Sequence, residues 1–271
     1  MVAVNFGELH EWEMQDVFLN SAARYWEPRD LSDAQLKFET KVLNRGIQLL
    51  RTLAIGDVHG CFDAMLHLIE FAGISESDKV IWLGDYVDRG PDSAKVIDYL
   101  SKLDRSRNVF LRGNHEIMMK QALESIDYMR SWAASGGGET WDSYIREFGG
   151  DRGIDAVPES HWSFIENLES YYETEQHIFV HAAIDAELKM ADQFEKTLFW
   201  GSYDSIGPHQ SGKHVICGHS SQKDGIPKGR PHATCIDTWA CGGAWLTCFD
   251  VTSKRYYQAN QYGDTNADWL D

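Results

Sequence analysis

The sequence predicts an α/β fold with one large domain, on three observations. Between residues 51 and 127, short apolar runs that end in glycine alternate with stretches of helical composition. In the second half the apolar runs follow one another at strand length, with turn residues between them. The chain has 271 residues, no repeat of fixed period and no linker rich in proline or serine, so a single core accounts for most of its length.

Taken in order, the reading gives a strand over 51–55 (RTLAI), a helix over 62–72 and a strand over 79–83 (KVIWL). A helix over 92–104 follows, opened by Pro91-Asp92-Ser93, then a strand over 108–111 and a helix over 115–127. Apolar strands alternating with helices imply right-handed βαβ units and a sheet covered on both faces. In such sheets ligands collect at the carboxyl ends of the strands. The stretch 128–160 reads as loop-rich, with Gly136-Gly137-Gly138 and Gly149-Gly150, and a helix is expected over 160–168. Strands are expected over 177–181, 214–217, 233–237 and 244–250, with 255–258 as a hairpin partner. The closing NADWLD reads as a solvated end. Residues 1–50 read as an N-terminal extension packed on a core domain spanning 51–271. Within the extension, LSDAQLKFETKVLNRGIQLL looks helical, with Ser32 and Gln35 forming a capping box.

The balance of charge restricts the partners. Net charge is −17 with a sequence pI near 5.0, so a nucleic-acid backbone would be repelled, and no nucleic-acid partner is expected. No apolar run reaches the length of a membrane span, and the acidic start lacks a basic segment leading into an apolar one. The five cysteines, at 61, 217, 235, 241 and 248, include no C-x-x-C pair. Together these predict a cytoplasmic protein with reduced, buried thiols and no membrane partner.

Three of the glycine-terminated runs lead into polar clusters. GDVHG (56–60) follows the first strand, GDYVDRG (84–90) the second and GNHE (113–116) the third. They supply Asp57 and His59; Asp85, Asp88 and Arg89; and Arg112, Asn114, His115 and Glu116. His181 ends IFVH, and His219 sits in CGHS after another apolar run. In an extended loop, Asp57 and His59 point to the same side, because alternate residues share a face. Aspartate, asparagine and histidine together make a mixed oxygen and nitrogen donor set, which suits manganese, iron or zinc better than magnesium or calcium. Asp85, central in order, could bridge two ions about 3.5–4 Å apart, a spacing that serves in-line displacement at phosphorus. Arg89 and Arg112 adjoin these ligands, and arginine's planar fork matches a phosphate.

The three clusters, in this order and about 28 residues apart, resemble the signature of the metallophosphoesterases, in particular the phosphoprotein phosphatase family in its bacterial branch. The likeness runs from about 51 to 258. It takes in VHAAI (180–184), GHS (218–220) and IDTWACGGAWLTCFD (236–250), the last similar to the family's closing hairpin. The resemblance implies a central β-sandwich flanked by helices. It implies a dinuclear metal-dependent phosphomonoesterase that works by direct attack of a metal-bridging hydroxide, without a phosphoenzyme. The expected substrate is phosphoserine or phosphothreonine in a protein, or another small phosphate ester. The alternative is symmetrical hydrolysis of a dinucleoside polyphosphate such as diadenosine tetraphosphate.

By the same resemblance, Asp57, His59 and Asp85 hold one ion, and Asp85, Asn114, His181 and His219 hold the other. Two divalent or trivalent ions are expected, manganese first, then iron or zinc. His115 is the general acid, Asp88 orients it, and Arg89, Arg112 and Asn114 bind the phosphoryl group. The sequence departs from the pattern at Ser202, where the family often has a third phosphate-binding arginine, and Arg230 is the candidate to replace it. Trp239 stands where the family has glycine, and could stack on a flat group.

Other residues read as structural. His10, His67, His161, His177, His209, His214 and His232 are given no role. Glu116 is expected to stabilise the N-terminus of its helix rather than bind metal. Trp132, Trp141 and Trp162 read as core, and the Gly136–Gly138 run as structural.

Overall fold

The computed structural model describes residues 51–150 and 153–270. The N-terminal stretch read as an extension, with its Ser32–Gln35 capping box, lies outside the described residues.

Two sheets form the centre. The first has six strands in the order β11-β10-β9-β1-β2-β3, and the second five in the order β4-β5-β6-β8-β7. In the first, β1 (Thr52–Ile55), β2 (Lys79–Trp82) and β3 (Asn108–Phe110) are parallel. The antiparallel strands β9 (Leu246–Asp250), β10 (Arg255–Ala259) and β11 (Thr265–Trp269) continue it. In the second, β5 (His177–Val180), β6 (His214–Cys217) and β8 (Ala233–Cys235) are parallel. Its edges are β4 (Tyr171–Glu173) and β7 (Lys228–Arg230), both antiparallel to their neighbours.

The two-residue period of a strand explains the layers. Ala54, Ile81 and Val109 face Phe179, Ile216 and Ile236 across the space between the sheets. The intervening residues, Leu53, Ile55, Val80, Trp82 and Phe110, pack outward on helices. These helices include α1 (Phe62–Phe71), which contributes Met65 and Leu68, and α2 (Ser93–Leu100), which contributes Val96, Ile97 and Leu100. The outer face of the second sheet, through Ile178, Val180 and Val215, is covered by Leu198, Phe199 and Tyr203. Strands buried on both faces have to be apolar throughout, which is why they read as continuous runs. The architecture is the expected α/β sandwich flanked by helices. No helix among the described residues is long and apolar enough to cross a membrane.

Three local expectations need correction. The helix expected over 115–127 is two helices, α3 (Asn114–Gln121) and α4 (Ile126–Trp132). Ser125 starts the second by accepting the Tyr128 N–H on its hydroxyl (3.2 Å), a capping bond that competes with helix continuation. The stretch expected to be loop-rich is mainly helical: the chain kinks at Ala133–Gly137 and enters α5 (Gly138–Phe148), while α6 (Glu159–Glu166) matches its expectation. The closing residues form β11, a strand whose side chains are mostly exposed, so burial gave no pattern to read. The short edge strands β4 and β7 were also not anticipated.

Candidate metal centre

The carboxyl ends of β1, β2, β3, β5 and β6 carry every predicted ligand. Asp57 and His59 follow β1, Asp85 follows β2, and Asn114 and His115 open α3 after β3. His181 directly follows β5, and His219 follows β6 by one residue. Parallel strands within each sheet bring these ends to one edge of the sandwich. A short helix, α7 (Glu195–Trp200), lies between β5 and β6 and carries Leu198 and Phe199 of the outer core.

Two sets of donors share one carboxylate. The ligand atoms of His59, Asp85 and His115 lie within 4.8 Å of one another, as do those of Asp85, His181 and His219. Asp85 thus belongs to both sets. Its Oδ2 is 3.5 Å from His59 Nε2, and its Oδ1 is 3.5 Å from His181 Nε2. Asn114 Oδ1 is 3.0 Å from His181 Nε2. Asp57 accepts the His219 backbone N–H on both carboxylate oxygens (3.1 and 3.0 Å), which ties the loop after β1 to the loop after β6.

The donor chemistry fits cations. His59 Nδ1 is 2.8 Å from the Val87 carbonyl and His181 Nδ1 is 2.9 Å from the Leu83 carbonyl. A carbonyl only accepts, so each Nδ1 carries the proton and each Nε2 is left as an acceptor on the Asp85 side, that of His59 also meeting an Arg89 N–H. Lone pair facing lone pair is repulsive unless positive charge lies between them. Burial pushes His59 down to about 3 and His219 down to about 4, so both imidazoles are neutral donors near neutrality. Burial, then the charges of Asp237 and Asp85, push the Asp57 carboxyl well above the usual range. The buried Asp57 and Asp237 carboxyls, raised by burial and by neighbouring negative charge and set beside the neutral His59 and His219 rings, are an arrangement that divalent ions would relieve. Mixed nitrogen and oxygen donors of this kind suit first-row transition ions.

The backbone around the cluster is strained, and the strain has visible supports. Among the described residues seven non-glycine residues have positive φ, and five belong to the predicted site: His59, Asp85, Asp88, Arg89 and His219. Such conformations cost about 1–3 kcal/mol each and persist only where the surroundings over-determine them. Glu116 provides much of that support. Its carboxylate accepts the backbone N–H groups of Asp85 (3.0 Å), Tyr86 (2.7 Å), Val87 (3.3 Å) and Gly113 (2.9 Å). It therefore secures the Asp85 loop as well as the start of its own helix. Glycine allows close approach to two of the carboxylates. A β-carbon on Gly113 would overlap the Asp85 carboxylate, and one on Gly218 would overlap that of Asp57.

His115 and Asp88 form a dyad beside the donors. His115 Nδ1 donates to Asp88 Oδ2 at 2.6 Å. Burial alone would lower the His115 value, but the Asp85 charge and the Asp88 hydrogen bond outweigh it, and the imidazole is raised above its ordinary value. Asp88 is held in turn by the Trp132 indole N–H (2.9 Å) and the Thr140 hydroxyl (2.8 Å). The reading of Trp132 as core missed this second task. Trp132 is a buried side chain, 44 residues from Asp88, and no local pattern reports such a bond.

Arg89 points at the donors and Arg112 does not join them. Arg89 Nη1 donates to His59 Nε2 (2.8 Å) and Nη2 to His115 Nε2 (2.9 Å). Its backbone N–H is fixed by the Gly136 carbonyl at 2.9 Å. The Arg112 guanidinium donates to the Leu168 carbonyl at 3.2 Å and makes no hydrogen bond with the cluster. Arg230 does not replace the missing third arginine. It pairs with Asp204, lies 4.6 Å from the centroid of the Tyr203 ring, and joins His177 and His214 at the amino ends of β5 and β6, away from the donors.

A buried carboxylate shared by two donor sets, with an acid dyad and a phosphate-matching arginine beside them, defines a metal-dependent hydrolase centre. Residues 50–223 match the family described as calcineurin-like phosphoesterase, and the chain belongs to that family, whose members are phosphoric ester hydrolases with a dinuclear metal centre. It is 24% identical to a symmetrical bis(5'-nucleosyl)-tetraphosphatase of Klebsiella pneumoniae over 270 aligned positions, 77% of this chain and 94% of that protein. It is 37% identical to the symmetrical bis(5'-nucleosyl)-tetraphosphatase of Buchnera aphidicola over 78 residues, which span only 28% of that protein's length. In fold it is similar to a protein serine/threonine phosphatase of Saccharomyces cerevisiae, with a TM-score of 0.53 at 14% identity over 97% of both chains.

Proposed function

We propose that the chain hydrolyses a phosphoanhydride of the dinucleoside polyphosphate class, transferring a phosphoryl group to water. The observation that carries the chemistry is Asp85, shared between a set with His59 and His115 and a set with His181 and His219. Asp57, His59, Asp85, Asn114, His181 and His219 would hold two ions, manganese, iron or zinc by donor type. When bound, the ions neutralise charge on the phosphoryl oxygens and make water nucleophilic near neutrality.

The chain's own residues do the rest. The Arg89 guanidinium, on a backbone held by the Gly136 carbonyl, exchanges its histidine acceptors for two phosphoryl oxygens as substrate enters. That exchange frees His115 Nε2 to face the leaving oxygen, and a protonated His115 donates to it as the bond breaks. Asp88 keeps the ring oriented and stabilises its positive charge. Arg112 is not needed for this clamp.

Substrate class is supported by the names of the curated relatives, one of which aligns across 94% of its length. The second reading, a phosphoserine or phosphothreonine phosphatase, is favoured by the intact Asp88–His115 dyad, since an alkoxide leaving group needs a proton more than a phosphate does. Product release is to be measured, with added manganese, from diadenosine tetraphosphate and from a phosphothreonine peptide side by side, with Asp85→Asn as the blank. Preferential turnover of the dinucleotide is expected. Preferential turnover of the peptide would replace this substrate class with the second, and blank-level rates on both would overturn the proposed activity.

A further inference from the structure

A cavity of ≈ 330 Å³ runs outward from Arg89. Arg89, whose guanidinium reaches His59 and His115, is one of its lining residues, so the cavity adjoins the place where the phosphoryl group is proposed to lie. Pro91, the Gly242–Gly243–Ala244 stretch and Asn260, Gln261 and Tyr262 of the β10–β11 turn also line it. Its size is at the small end of ligand pockets, the scale of a nucleoside rather than of a peptide groove.

Three features describe what fits. First, no carboxylate among the described residues lines the cavity, although the chain carries a net charge of −17, so a group joined to phosphate meets no repulsion from them there. Second, the Tyr262 side chain is 83% exposed at the lip, a large aromatic face with no cover from the described residues. Third, the turn that carries it is held in place. Asn260 Oδ1 accepts the backbone N–H groups of Tyr262 (2.9 Å) and Asp264 (3.0 Å), and its amide nitrogen donates to Asp264 (2.9 Å). Gln261 is anchored by the Ala64 N–H (2.9 Å) on α1. A rigid turn presenting an aromatic face loses little freedom on stacking. Trp239, the residue the sequence offered for this task, is otherwise engaged. Its ring packs on Gly242 and lies 5.5 Å from the Lys223 ammonium.

We propose that this cavity binds the nucleoside of a nucleotide substrate, with the base stacked on Tyr262 and the phosphate on Arg89. The inference rests on the nucleotide reading above and names its specificity element. Stacking platforms of this kind accept any base and bind through the ring face. Hydrolysis of diadenosine tetraphosphate by one water yields two ADP molecules, so ADP is the product that would still occupy the cavity.

The test is calorimetric titration of the manganese-loaded protein with ADP and with pyrophosphate, which lacks the nucleoside. The wild type should bind ADP more tightly than pyrophosphate. Tyr262→Ala should weaken ADP about tenfold and leave pyrophosphate unchanged, while Tyr262→Phe keeps ADP affinity. Equal affinity for the two ligands in the wild type, or equal losses for both in Tyr262→Ala, would overturn the proposal. Because binding is read without turnover, a Tyr262-dependent preference for ADP in a protein that hydrolyses only the phosphothreonine peptide supports the cavity and overturns the proposed substrate instead.

Discussion

At the scale of single residues, the site is organised by what each polar atom can and cannot accept. The Val87 and Leu83 carbonyls take the Nδ1 protons of His59 and His181, which leaves both Nε2 atoms as acceptors on the Asp85 side, that of His59 engaged by Arg89. His115 is different, because its Nδ1 partner is the Asp88 carboxylate rather than a carbonyl. A carboxylate stabilises the protonated ring, so His115 is suited to proton donation even though its ring lies within reach of the first donor set. His115→Asn is therefore expected to lower turnover of a phosphothreonine peptide or other ester with a poor leaving group by about 10²–10⁴. The number of manganese equivalents bound should not change. Loss of one equivalent would make His115 a ligand. Asp88 is a buried carboxylate whose value burial raises, and the bonds from His115, Thr140 and Trp132 keep it useful as an acceptor. Trp132→Phe keeps the ring and removes the N–H. The expected result is a kcat lower by about tenfold with KM unchanged, which a purely packing role would not give.

At the scale of elements, the loop after β2 and the start of α3 behave as one unit because Glu116 accepts four backbone N–H groups from both. Glu116→Gln would turn an amide NH₂ toward N–H donors that need an acceptor. A loss of about 1–3 kcal/mol in urea unfolding is expected, with weaker metal binding, and an unchanged midpoint would contradict the role. Much of this unit was legible in the sequence. Gly-Asp and Gly-Asn-His after apolar runs marked the ends of β1, β2 and β3, because buried strands and close metal-site approach both leave local signatures. Glu116 was readable as a helix-start residue from its position, but its hold on Tyr86 and Val87 spans some thirty residues and has no local signature. For the same reason the direction of Arg112 was misjudged. Adjacency in sequence placed it beside the ligands, whereas its guanidinium turns to the Leu168 carbonyl. The helices of 126–148 were hidden by glycines at 136–138, which mark a kink between helices rather than a loop.

At the scale of the whole molecule, two sheets meet through an apolar interior and place their parallel strand ends along one edge. The amino ends need their own fastening. Arg51 donates to Asp78 through Nε (2.9 Å) and Nη2 (2.7 Å), tying the start of β1 to the turn before β2. Burial would raise the Asp78 carboxyl, but the Arg51 bonds and the Ser75 N–H hold it below the usual range. A depressed carboxyl stabilises the fold above its unfolded value of about 3.9, and that stabilisation is lost as pH falls through the lower folded value. Asp78→Asn should cost about 2 kcal/mol at pH 7, and the difference from wild type should shrink below about pH 4. A difference independent of pH would contradict the assignment.

The central claim is that one carboxylate, Asp85, joins two metal sites. Its most direct measurement is an equilibrium titration with manganese, counting ions per chain in the wild type and in Asp85→Asn. The wild type should take up two equivalents, and the variant should lose high-affinity binding of both. Retention of one tight ion by Asp85→Asn, or uptake of a single ion by the wild type, would contradict the shared carboxylate and the proposed hydrolysis built on it.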